Sequence, residues 1–158
     1  MNARLMSALP WLAFGVVTVV AGGLVAAVVA HDPSEKPVWA SAYLVLVAGV
    51  GQIGLALGRT LLAARPPASS AVARDFVVFA LGNAGVVVGT LIDVVWLVDV
   101  AGALLVVALA LMLWSVRGAP GVAAYGTSGW LVGLLWTYRV LVVVLLVSIP
   151  VGLVLARQ

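Results

Sequence analysis

The sequence predicts an all-α fold: a polytopic integral membrane helix bundle of five transmembrane helices, with the N-terminus cytoplasmic and the C-terminus outside. Three observations predict it. The 158 residues are 65% hydrophobic and only 8% charged, whereas a soluble domain carries about 25% charged residues. Too few charged side chains remain to make a water-facing surface, so lipid is the expected solvent. Apolar runs also recur five times, each long enough to cross about 30 Å of hydrocarbon. Finally, the cations gather on one set of connections.

The chain reads as a single membrane domain over 1–158, with spans at about 8–30, 39–62, 76–92, 100–116 and 130–156. The first run follows Arg4 and carries Pro10 in its expected first turn, where a missing N–H costs little. A cleaved leader ending near Ala30 is the competing reading. The run has more than 20 uncharged residues, against about 7–15 for a signal-peptide core, which favours a retained helix. His31 to Pro37 is a polar loop, and the second span follows from Trp39 to Leu62. Arg65 to Ser70 interrupts the helix, and Phe76 to Ile92 is the third run. A continuous helix from Phe76 to Val116 would be roughly 61 Å long, twice the bilayer core. A turn is therefore expected within 93–99, although neither Gly nor Pro marks it. After the fourth span, a Gly- and Pro-rich loop runs from Arg117 to Gly129. The fifth span follows, with Trp130, Trp136 and Tyr138 at an interface and a kink expected at Pro150.

Charge tests this layout independently. With the N-terminus inside, Arg4, Arg59, Arg65, Arg74, Arg117 and Arg139 lie on the cytoplasmic side, and only Lys36 and Arg157 lie outside. That is a positive-inside bias. The acids fall the other way, with Asp75 alone among the inner cations and Asp32, Glu35, Asp93 and Asp99 outside. The Arg-, Ala-, Val- and Gly-rich composition suggests a GC-rich bacterial genome, hence a multi-pass protein of the bacterial cytoplasmic (inner) membrane.

Composition also excludes function classes. The basic residues stand singly between apolar runs, so no nucleic-acid surface is expected despite a basic balance. No cysteine is present, which removes thiolate metal sites and redox thiols. One histidine, His31, cannot supply a bis-His haem site. No cofactor and no metal are expected. The partners expected are the lipid bilayer and a protein partner or homo-oligomer.

Two segments share one pattern: Gly51, Gln52, Gly54 and Gly58, then Gly82, Asn83, Gly85 and Gly89. The glycines of each set fall on one helix face, where small residues let backbones approach closely in lipid. Gln52 and Asn83 are both expected near mid-bilayer, at similar depth, and hydrogen-bonded to each other directly or through water. Packing is the favoured reading. A substrate or ion pathway between Gly-rich, polar-centred helices is the alternative. Gly49 to Gly54 also matches G-x-G-x-x-G, but inside a membrane helix it lacks the strand and helix start that a dinucleotide site needs.

His31, Asp32, Glu35, Asp93 and Asp99 form an outer acidic group. It reads first as solvated loop charge, and second as a cation or proton site. Arg139 is expected to reach the inner lipid headgroups. Tyr43 and Ser41 read as an interfacial tyrosine and a packed serine rather than as a vestibule. No nucleophile–base pair stands out, so no catalytic residue is expected. Three functions remain open. The first is a non-enzymatic subunit or scaffold of a membrane complex, held through Gly-rich helix packing. The second is a small-molecule or ion transporter or channel working through Gln52 and Asn83. The third is a membrane enzyme acting on lipid at the outer face through Asp93, Asp99 and His31.

Overall fold

The computed structural model describes residues 3–62, 68–116 and 129–155. Every regular element among them is helical. Helix α1 spans Ala3–Val29. One continuous rod then comprises α2 (Glu35–Tyr43), a π-helical segment (Leu44–Gly51) and α3 (Gln52–Leu62). Helices α4 (Ser69–Leu91), α5 (Val95–Ser115) and α6 (Gly129–Leu155) follow. Five helices, counting the rod as one, are long and apolar enough to cross a membrane.

Several boundaries differ from those expected. Helix α1 starts at Ala3, so Pro10 lies inside it rather than in its first turn. The missing proline N–H leaves the Met6 carbonyl without its usual intrahelical donor. The rod starts at Glu35, and Pro37 takes the first-turn position instead. Helix α4 begins seven residues before the expected Phe76, which brings Arg74 and Asp75 into the helix. Helix α6 runs on through position 150. The Gly- and Pro-rich stretch at 117–128, with Arg117, and the terminal Arg157 lie outside the described residues.

The turn expected across 93–99 is confined to 92–94, and Asp99 sits within α5. Asp93 adopts φ 60°, and the Val94 N–H donates to Gly89 O at 2.9 Å. That bond spans the end of α4 as a Schellman motif does, with Asp93 in the left-handed position usually held by glycine. Aspartate tolerates that conformation better than most residues.

Two tight hairpins result. In the first, α1 lies along the rod at backbone distance. A Cβ added to Gly22 would meet Ser41 O at 2.9 Å, and one added to Gly15 would meet Ile53 at 2.6 Å and Gly49 O at 3.2 Å. Thr18 Oγ1 lies 2.9 Å from Ala48 O across the same contact. In the second, the Gly82–Gly85–Gly89 face lies on α5. Added Cβ atoms there would come within 2.8 Å of Leu105, 2.7 Å of Ala101 and 2.7 Å of Val98. Helix α6 crosses between the hairpins and touches α5 and α3.

The hairpins join at the end that carries Arg59. There Trp11 packs edge-on to Phe76 at 5.6 Å and tilted on Phe79 at 5.5 Å. Leu55, Leu109, Met112 and Val142 complete a core from which solvent is almost wholly excluded. At the opposite end, which carries Glu35, the rod still touches α4, while α5 and α6 stand apart from the rod.

Candidate functional site

That separation makes a cavity of about 600 Å³ between the rod, α4, α5 and α6. Its size falls within the range of about 300–1,000 Å³ usual for small-molecule sites. Glu35, Lys36 and Trp39 stand at its mouth, and Thr90 and Ser148 add hydroxyls along the walls. The deeper walls are apolar, with Val47, Phe79, Leu105, Leu109 and Leu145. The α4 wall runs from Thr90 to Phe79 and the α5 wall from Val98 to Leu109, each roughly 16 Å of helix. The cavity therefore reaches about halfway along the bundle and stops on the Phe79 and Leu109 side chains.

The mouth is strapped by an ion pair between Lys36 Nζ and Asp93 Oδ2, which ties the start of the rod to the α4–α5 turn. Both side chains are exposed. Below it, Trp39 and Tyr43 stack with ring centroids 5.1 Å apart and planes 27° apart. The Tyr43 hydroxyl donates to Asn83 Oδ1 at 3.0 Å, and Asn83 Nδ2 donates to Phe79 O at 2.8 Å.

The direct bond between Gln52 and Asn83 is not made. Gln52 is fully buried and its Nε2 donates to Trp11 O at 2.9 Å, on α1. The two glycine faces do not meet each other either. Gly51, Gly54 and Gly58 face Leu145, Leu141 and Tyr138 of α6, while Gly82, Gly85 and Gly89 face α5. Each carboxamide points to a helix other than the one on its glycine face: Gln52 to α1 and Asn83 to the rod, while α6 and α5 fill the two glycine grooves.

The outer acidic group is dispersed. His31 and Asp32 are exposed in the loop, Glu35 and Lys36 are at the cavity mouth, and Asp93 pairs with Lys36. Among the described residues, no three His, Asp or Glu side chains converge as a metal site. Arg139 is exposed and lies over the Trp136 ring at 5.7 Å. Tyr43 belongs to the cavity wall, whereas Ser41 is buried against α1.

The opposite end carries a charge cluster that composition alone did not expose. Arg59 Nη1 approaches Asp75 Oδ2 at 2.9 Å, with both side chains buried. From the exposed side, Arg74 Nε and Nη2 donate to Asp75 Oδ1 at 3.1 and 3.0 Å. The Arg59 contact is a close ion approach without hydrogen-bond alignment. Nε and Nη1 of Arg59, like the Tyr138 hydroxyl, have no hydrogen-bond partner among the described residues. Gly58 makes room for the Tyr138 ring beside this cluster. The sequence offered one clue: Asp75 was the only acid among the inner cations. Arranged this way, the cluster can lock the rod to α4, while the cavity at the other end can admit a ligand.

No family model, curated protein or solved structure matches this chain.

Proposed function

We propose that the chain is a non-enzymatic protein of the bacterial inner membrane that holds an amphipathic molecule in its outer leaflet. The cavity carries this reading: it is about 600 Å³ in volume, apolar below and charged at the mouth. Its depth of roughly 16 Å is about half of a 30 Å hydrocarbon core. Such a space suits an apolar chain with a polar head.

Insertion with the Glu35 end outward is supported by the surface. Val16, Val17, Val20, Leu24 and Val28 of α1 are exposed, as are Val140, Val143, Val144 and Val147 of α6. Exposed aliphatic faces of that extent are suited to lipid. Trp96 and Trp114, both broadly exposed, mark the two ends of α5. They lie roughly 27 Å apart along the helix, the spacing of two aromatic belts. The excess of cations at the Arg59 end supports a cytoplasmic position for that end.

The alternatives draw less support. A midplane path through Gln52 and Asn83 needs both in a cavity wall, yet Gln52 is sealed against Trp11 and Asn83 lies behind Tyr43. A scaffold role through glycine faces needs those faces free, and both are occupied by helices of this chain.

Native mass spectrometry after mild extraction tests the proposal. The expected spectrum shows the chain carrying a small amphiphile, and Ser148→Trp, which fills the cavity from α6, removes it. A bare chain, or a stoichiometric protein partner with no small molecule, would overturn the reading.

A further inference from the structure

We propose that the amphiphile is a single-chain alkylammonium, its hydrocarbon tail directed toward Phe79 and Leu109 and its cationic head held at Glu35, Trp39 and Tyr43. This rests on the reading of the cavity as an amphiphile site. Three charges stand at or beside the mouth: Glu35, Lys36 and Asp93. The Lys36 ammonium is engaged by Asp93, so the pair cancels. Glu35 enters no ion pair among the described residues, and among these the mouth carries one net negative charge. Asp32 in the adjoining loop adds to the same sign. An anionic head would meet Glu35 and Asp93 with Lys36, the one cation among the described residues there, already partnered.

The aromatic pair supplies the second half of the argument. Trp39 lies one helical turn beyond Glu35, and Tyr43 one turn further, stacked at 5.1 Å. An indole face is the strongest side-chain partner for a cation, and alkylammonium recognition by aromatic faces needs no hydrogen-bond donor from the protein. The Tyr43 hydroxyl is committed to Asn83, which fixes its ring. Carboxylate, indole and phenol thus form a ladder leading from the mouth to the apolar floor. The volume of about 600 Å³ suits one chain rather than the paired tails of a bilayer lipid.

The test is retention of labelled dodecyltrimethylammonium by the full chain in an uncharged sugar detergent, with dodecyl sulfate and dodecanol as probes of equal chain length. The cation should bind about tenfold more tightly than the sulfate. Glu35→Gln should reduce that preference to about threefold or less, and Ser148→Trp should abolish retention of all three. Equal binding of the three probes, or preference for sulfate, would overturn the headgroup assignment and leave the amphiphile cavity standing. Failure of every probe, with Ser148→Trp no different from the parent, would overturn both. Displacement of the label by phosphatidylethanolamine as effectively as by free alkylammonium would overturn the single-chain assignment.

Discussion

Asp75→Ala is expected to lower the stability of the folded chain by about 3–5 kcal/mol, because it strands a buried guanidinium. Arg59 is 7% exposed and Asp75 1%, so neither charge is relieved by bulk solvent. Arg59 already has Nε and Nη1 without aligned acceptors, and the Asp75 carboxylate is its one compensating charge among the described residues. Arg74 is different. Its side chain is 59% exposed, and its replacement by Ala is expected to cost only about 0–1 kcal/mol. Removing both buried charges together, as Arg59→Met with Asp75→Leu, should restore most of the loss, since well-packed apolar pairs often match a buried ion pair. Reversible unfolding in mixed micelles reads all three variants. An Asp75→Ala cost below about 1 kcal/mol would show that the pair does not lock the rod to α4.

Gly58→Leu is the second large effect. A Cβ at this position would overlap the Tyr138 ring, and the rest of the leucine has nowhere to go but between α3 and α6. Overpacking of this kind costs about 1–3 kcal/mol and sometimes more. The consequence reaches the cavity, because α6 also carries Leu145, Ser148 and Ile149 of its wall. Ligand retention should fall together with stability. Gly23→Leu serves as the control: a Cβ there meets nothing within 4 Å, so its effect should be small. Gly58→Leu combined with Tyr138→Ala should recover part of the stability by vacating the collision. Equal effects at Gly58 and Gly23 would mean that α6 is not seated on this face.

How much of this was legible in the sequence differs by feature. Apolar run length located five helices, because each is an unbroken run between polar breaks. The α4–α5 turn was placed too broadly because its left-handed residue is Asp93 rather than a glycine. The π-helical segment at Leu44–Gly51 carries no residue signature that separates it from α-helix. The glycine faces announced close packing correctly, but not their partners, since a small-residue face is complementary to many helices. The faces of α1 and the rod were missed, although Gly15 and Gly22 are seven residues apart and so share one side. Arg59 and Asp75 stand on different helices and meet only in the folded bundle. The cavity is lined by the rod, α4, α5 and α6 together, which no single stretch of sequence records.

The chain contains no cysteine, so single-cysteine variants report one position at a time. The most direct measurement is labelling of Thr90→Cys, in the cavity wall, and Ser70→Cys, at the start of α4, with a small membrane-impermeant thiol reagent added outside intact cells. Thr90→Cys should react from outside, and Ser70→Cys only after the membrane is opened. Labelling of Ser70→Cys in intact cells, or a Thr90→Cys that reacts from neither side, would contradict a cavity open to the outer leaflet above a locked cytoplasmic end.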